Sequence, residues 1–325
     1  MGNSDSRPDI QHDGATTVSW IGGYGGDTFD FTGRNDGATL KKIGVSVGGE
    51  QIKAVRAELT NGRVETFGRA NTSYQEFLFG PEERIISLTL WDNGQASRLG
   101  GIKFCTSLGV EFFSYMNRRS LKNGYSIDVG SGVCLGLQGK ACKEIDCMGF
   151  LFIKAIDSAV LTKINFPSLR MSKPQVNNDF KKSKTYENNT AVDQEYKFAY
   201  SRPVKKSITW SNTTKIESNL MSVVAGIPDL MEVAGGFTLN MESEKSCSMT
   251  DQENIEESNV INVMVPAGKT MRVDVSGGRA VINLAYTAIV SITCQNGSEL
   301  SFNTSGIYNR VAYTKVKEEI SQIMS

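Results

Sequence analysis

Residues Ala280–Cys294 read AVINLAYTAIVSITC, and their apolar side chains return at every second position. Ala280, Ile282, Leu284, Tyr286, Ala288, Val290, Ile292 and Cys294 fall on one face. Val281, Asn283, Ala285, Thr287, Ile289, Ser291 and Thr293, mostly small or polar, fall on the other. A period of two marks a β-strand with one face in a core and the other in water. Fifteen residues at ~3.4 Å each extend about 50 Å, far beyond the usual strand of about 5–6 residues. A strand of that length implies an elongated, rod-like β module. Shorter companions are expected at Tyr196–Ser201, Lys206–Ser211, Val260–Val265 and Met271–Val275.

Outward from this strand, glycine divides the chain. Residues 1–155 hold 24 of the 32 glycines. In that half, short apolar runs recur at Leu40–Val47, Ile52–Leu59, Phe77–Phe79, Ile85–Trp91, Ile102–Phe104, Val110–Phe113 and Gly149–Ile153. Turn clusters such as Asn61-Gly62, Gly80-Pro81 and Asp92-Asn93-Gly94 separate them. Short strands punctuated so often mean a compact sandwich, barrel or prism. The fold class is therefore all-β, with a boundary near Lys154–Ser158. Three parts are expected: a disordered leader over 1–16, a compact domain over 17–155, and the long-stranded module over 156–325.

The composition excludes several functions. Thirty-five basic residues balance 35 acidic ones in 325, so no net field holds nucleic acid. No run reaches the ~18 apolar residues of a spanning helix, and the N-terminus lacks a secretory h-region. His12 is the single histidine, which leaves no Ser-His-Asp triad, Cys-His pair or His-ligated zinc site. The expectation is no enzyme, no catalytic residue, no metal and no cofactor. Cys105, Cys134, Cys142, Cys147, Cys247 and Cys294 form no CxxC. They read as free thiols in a reducing compartment, with Cys134 and Cys147 able to close a loop if the protein leaves the cell. Trp20, Trp91 and Trp210 are expected in the core. Met1–Ser6 matches the myristoylation pattern, and N-x-S/T recurs at Asn71, Asn188, Asn212, Asn296 and Asn303; both patterns are short enough to arise by chance.

The segment Thr213–Glu244 carries the most functional information. Pro228-Asp229 marks a turn. Folded about it, Val224 faces Val233, Ser222 faces Gly235, Leu220 faces Phe237, Ser218 faces Leu239 and Ile216 faces Met241. The other side pairs Met221 with Gly236, Asn219 with Thr238, Glu217 with Asn240, and Lys215 with Glu242. The apolar sets of both arms thus share one side. Each arm offers the ~9–11 residues a tilted transmembrane β-strand needs. The tip, which includes Ile227 and Leu230, is largely apolar. Several copies would have to close a barrel, because a lone hairpin in lipid leaves backbone groups unpaired. An amphipathic hairpin equally suits a strand pair half-buried against its own domain.

The run Trp20-Ile21-Gly22-Gly23-Tyr24-Gly25-Gly26, followed by Phe29-Asp30-Phe31, resembles the opening of jacalin-type lectin domains. Gly139–Phe150 resembles their closing sugar loop, a GxxxD motif followed by the last strand. Ile52–Ala57 with Glu65–Gly68 resembles the same domain in vertebrate aerolysin-like proteins. Ala225–Pro228, Val265–Thr270 and Ala285–Ala288 are similar to natterin-like, aerolysin-type modules of fish and lamprey proteins. The resemblance implies a β-prism lectin domain followed by an aerolysin-type pore-forming module, with 213–244 as the pre-stem hairpin. It further implies a sugar site made by Gly26, the N–H groups of Lys143, Glu144 and Ile145, and the acceptor Asp146. Mannose-binding relatives usually show two glycines where this chain has Ala141-Cys142, and a small or acidic residue at Lys143. That departure leaves both a mannose-type and an acidic sugar open.

The resulting expectation is a glycan-targeted β-pore-forming protein of defence or cytolysis. Its partners would be cell-surface glycans, the lipid membrane and copies of itself in a ring homo-oligomer. The membrane-inserting side chains would be Ile216, Leu220, Val224, Ile227, Leu230, Val233, Phe237, Leu239 and Met241. The protomer would be soluble, either exported by a non-classical route or cytoplasmic before release, and the oligomer would sit on the target membrane. The alternative is an oligomeric glycan-binding lectin without pore activity.

Overall fold

The computed structural model describes residues 13–122, 124–168, 176–212, 221–223 and 247–323. All regular structure among them is β-strand. Twelve strands make up the first half: β1 (Ile21–Gly22), β2 (Asp27–Thr32), β3 (Leu40–Val47), β4 (Ile52–Leu59), β5 (Val64–Gly68), β6 (Gln75–Leu78), β7 (Ile85–Asp92), β8 (Leu99–Thr106), β9 (Glu111–Tyr115), β10 (Gly124–Ile127), β11 (Cys134–Ala141) and β12 (Ile145–Phe152). They form three four-stranded sheets in the orders β1-β12-β11-β2, β5-β4-β3-β6 and β10-β7-β8-β9. β12 meets β4 and β8, and β4 meets β8, so each sheet packs on the other two as the sides of a prism.

One core fills the prism, with Ile43, Ile52 and Leu59 from one sheet, Leu90, Ile102 and Phe104 from the second, and Leu137, Ile145 and Phe150 from the third. The expected turn chemistry is present. At Asn61-Gly62 the Leu59 N–H donates to Arg63 O at 2.9 Å, and Gly62 adopts φ +87°, a conformation open to glycine at little cost. Cys105, Cys134, Cys142, Cys147 and Cys294 are free, so no bond links Cys134 to Cys147. Burial pushes the Cys147 thiol above its ordinary pKa.

Two expectations need correction. Of the leader expected over 1–16, residues 1–12 lie outside the described residues, and residues 13–16 are ordered. Gly14 N–H donates to Glu299 O at 3.0 Å, Thr16 N–H donates to Phe152 O at 2.8 Å, and Ala15 and Thr16 are buried. A polar, glycine-containing stretch is tied down here by backbone bonds, which leave no signature in composition. Trp20, expected in the core, is 41% exposed, whereas Trp210 is buried.

The second half consists of β13 (Ile156–Asn165), β14 (Val176–Glu187), β15 (Gln194–Asn212), β16 (Met221–Val223), β17 (Cys247–Ser248), β18 (Thr250–Val265), β19 (Thr270–Cys294), β20 (Glu299–Tyr313) and β21 (Lys317–Ile323). They form one nine-stranded sheet, β17-β16-β13-β19-β20-β15-β18, with β14 and β21 also paired to β19. The alternation read from Ala280–Cys294 is realised: its eight apolar-face residues are buried, and Val281 is 46% exposed. β19 is longer than that stretch, 25 residues, because it passes unbroken through Gly277-Gly278. A Cβ at Gly277 would lie 2.2 Å from Arg202 Nη1, and Gly278 N–H donates to Thr314 Oγ1 at 2.9 Å. Glycine at 277 therefore answers a close approach. Likewise Tyr196–Ser201 and Lys206–Ser211 belong to one strand, β15. Its residue Pro203 pairs with Glu256 of β18, while the β20 ladder begins only at Ser207. Proline's missing N–H thus falls where β15 has a single ladder partner.

The described residues divide into two compact units: residues 13–162 with 221–222 and 288–304, and residues 163–212 with 223, 247–287 and 305–323. Neither is contiguous in sequence. In the first unit Gln295 N–H donates to Ala155 O at 2.9 Å. In the second, Trp210, Tyr286, Tyr308 and Phe166 pack edge-to-face or tilted. The Tyr286 hydroxyl donates to Ser211 O at 2.9 Å, and burial raises its pKa to about 12.

Candidate functional site

The loop joining β1 to β2 and the loop joining β11 to β12 lie side by side. The register places Gly22 opposite Cys147, Asp27 opposite Ala141, and Ala141 opposite Ile145. Gly23 N–H donates to Asp146 O at 2.8 Å and ties the loops together. The Asp146 carboxylate turns toward the glycine loop. A Cβ at Gly25 would lie 2.7 Å from Asp146 Oδ1, and one at Gly26 would lie 2.5 Å from Oδ2 and 2.9 Å from the Ala141 carbonyl carbon. Gly26 also adopts φ +79°. Both the space and the backbone conformation demand glycine there.

The Asp146 side chain is 5% exposed, and Arg98 Nη1 lies 3.1 Å from its Oδ1. The same guanidinium donates through Nε to Glu144 Oε2 at 3.1 Å, while Lys53 Nζ pairs with Glu144 Oε1. Burial alone would raise the Glu144 pKa. The bonds from Lys53, Arg98 and Gln51 outweigh it and hold the carboxyl below its ordinary value. Two carboxylates and two cations thus form a closed network beneath the loop.

The expected site residues come together with different freedom. Gly26 meets Asp146; Ile145 is buried, so only its backbone belongs to the site. Lys143 is exposed at the loop tip, and its carbonyl accepts Arg69 N–H at 3.1 Å. The N–H groups of Lys143 and Glu144 donate to no carbonyl among the described residues, while Cys142 N–H donates to Glu144 O at 3.1 Å. Sequence reasoning missed Lys53 and Arg98, which approach from β4 and from the loop before β8 with no spacing signal. It also missed Tyr24, 93% exposed, whose carbonyl accepts Lys140 Nζ at 3.4 Å. An aromatic set among four glycines was the signal for Tyr24. Donors, a carboxylate and an exposed ring on a shallow surface suit a hydroxyl-rich ligand.

The second unit holds a cavity of about 500 Å³, lined in part by Arg202, Lys206, Glu257, Arg310, Tyr313 and Glu318. Arg202 is committed there to structure. Its Nε donates to Glu257 Oε2 at 2.8 Å, and its Nη2 donates to Thr314 O at 2.6 Å. Ile216, Leu220, Val224, Ile227, Leu230, Val233, Phe237, Leu239 and Met241 lie outside the described residues. Within the same segment Met221, read on the polar side of the hairpin, is buried, and Ser222, read on the apolar side, is half-buried.

Three sheets closed into a prism, with a glycine loop pressed on a buried aspartate at one end, define a lectin domain. Residues 18–151 match the family model of the jacalin-like lectin domain. Over nearly its whole length the chain is similar to lamprey immune protein, whose crystal structure shares 44% identity with it. That alignment covers 95% of this chain and 99% of the other with a TM-score of 0.84, and the chain belongs to the family of that protein. Wild-type Malaysian banana lectin aligns at 20% identity, covering 43% of this chain and 97% of that one, TM-score 0.33. A mannose-binding jacalin-related lectin from Ananas comosus aligns at 17%, covering 43% and 99%, TM-score 0.36. No curated protein sequence matches the chain.

Proposed function

We propose that the chain is a glycan-targeted, β-pore-forming protein of defence. The jacalin-like domain docks on cell-surface glycans and concentrates protomers by avidity. The aerolysin-type second module then assembles into a ring, and the 213–244 hairpins zip into a membrane barrel. The observation that carries this reading is the β15–β18 ladder. It runs without a shift from Gln194↔Val265 to Thr209↔Thr250, the two ends that lead into the segment 213–246. In β15 the even positions Phe198, Tyr200, Arg202, Val204, Ile208 and Trp210 are buried, and in β18 the odd positions Ile261, Val263 and Val265. The apolar residues of the hairpin keep that parity, even in the first arm and odd in the second. That parity is a property of the sequence, and it suits a strand pair that exchanges a protein face for a lipid face.

Burial of Met221 favours a second reading, in which the segment is ordinary core of a glycan-displaying oligomer. Dye release from glycan-bearing liposomes, at neutral and mildly acidic pH, separates the two. Release that soluble glycan competes away, and that Phe237→Asp or Leu239→Asp abolishes without loss of liposome binding, is the expected result. Asp146→Ala should remove docking and release together. Absence of release at either pH with liposome binding intact, or loss of folding in both hairpin variants, overturns the pore reading.

A further inference from the structure

The charges around the sugar loop do not balance at the surface. Beneath it, Glu144 and Asp146 are matched by Lys53 and Arg98. At the mouth stand Lys143 and Arg69, both exposed and joined by the Arg69 N–H to Lys143 O bond, and Lys140, whose Nζ lies over the Tyr24 carbonyl. None of these three cations forms an ion pair among the described residues. Asp27, paired in register with Ala141, brings an acidic side chain to the mouth. The three cations outnumber it there, although the chain as a whole is neutral. Arg98 Nη1, which donates to Ser97 O at 2.6 Å, stands 3.1 Å from Asp146 Oδ1, and only 5% of the Asp146 side chain is exposed. Burial leaves this carboxylate little surface to offer a neutral hexose, so cations at the mouth weigh more in recognition.

We propose that this site is selective for anionic glycans, a sugar whose sulfate or carboxylate substituent is met by Lys140, Lys143 and Arg69. The ring lies against Gly25-Gly26 and Tyr24, and the Asp146 carboxylate accepts a hydroxyl. This inference rests on the reading of the jacalin-like domain as glycan-binding through these two loops.

The test uses the full chain against immobilised N-acetyllactosamine, its sulfated form, its sialylated form and a high-mannose glycan. Either anionic form should bind at least about tenfold more tightly than the neutral parent, as two or three exposed charge contacts allow. That margin should shrink as salt rises from about 0.05 to 0.5 M. The double variant Lys140→Glu with Lys143→Glu should erase the preference while weak neutral binding persists. Lys182→Glu, an exposed cation of β14, should change nothing. Which anionic form wins distinguishes sulfate from carboxylate. Equal or tighter binding of the neutral glycans, or an anionic preference that Lys182→Glu reduces as much as the double variant does, overturns the inference and leaves glycan binding standing. No binding to any of the four by a folded protein refutes the glycan-site reading itself.

Discussion

β12 and β19 are both antiparallel strands, yet they bury their side chains differently. All eight residues of β12 are buried, whereas β19 alternates buried and more open positions along most of its 25 residues. β12 packs one face on the other two sheets of the prism, and its opposite face is buried as well, so its environment overrides the period-two pattern. β19 keeps one face toward a core and one toward water. An enclosed strand cannot change partners without dismantling its domain. A sheet of half-buried strands holds its amphipathic character in each strand, which suits a module whose neighbours change.

The largest effects should test that contrast directly. In β12, Phe150→Ala and Leu151→Ala should each cost about 2–5 kcal/mol although the two side chains point to opposite faces. In β19, Leu284→Ala should cost about 2–5 kcal/mol and Val281→Ala within about 0.5 kcal/mol. Urea unfolding of the four variants is the measurement. A silent Leu151→Ala, or a Val281→Ala as costly as Leu284→Ala, would break the comparison.

A smaller effect is expected at Gly277, where β19 yields space to the buried Arg202. Gly277→Ala places a carbon 2.2 Å from Nη1 of a guanidinium held by Glu257 and Thr314 O. Overpacking of about 1–3 kcal/mol should appear as a lower urea midpoint. Gly62→Ala, with nothing within 4 Å of its added carbon, isolates the cost of backbone conformation alone.

The smallest effect belongs to the network under the sugar loop. Because the Glu144 carboxyl is held below its ordinary value in the fold, it contributes stability that is present above the unfolded carboxylate pKa. That stability is lost as pH falls through the folded value. The urea-midpoint difference between the native chain and Glu144→Gln should therefore hold from pH 7 to about 5 and fade only below about 4. A difference that vanishes already near pH 6 would show that Lys53 and Arg98 do not hold this carboxylate.

The long strand and the turn-rich first half were legible in the sequence, because alternation and turn chemistry act within a few residues. The pairing of Gly26 with Asp146 was legible only through the resemblance of the glycine loop and GxxxD motif to jacalin-type lectins. The continuity of β15 through Pro203 and of β19 through Gly277-Gly278 was not, since both look like breaks until their neighbours are known. Arg98 and Lys53 were not legible either. Lys53 reaches Glu144 from β4 and Arg98 from the loop before β8, and no spacing along the chain announces that meeting.

The sequence alone determined the all-β character and the alternating face of Ala280–Cys294, because these follow from local sterics and periodicity; Gly26 beside Asp146 was implied only by the resemblance to jacalin-type lectins. Only the tertiary structure decided that β12 is buried on both faces and that residues 288–304 return to the first unit. It also decided that Arg98 stands 3.1 Å from Asp146 Oδ1 while Lys140, Lys143 and Arg69 form no ion pair among the described residues. Those outcomes depend on which distant strands become neighbours, and charge balance and burial are properties of neighbours in space.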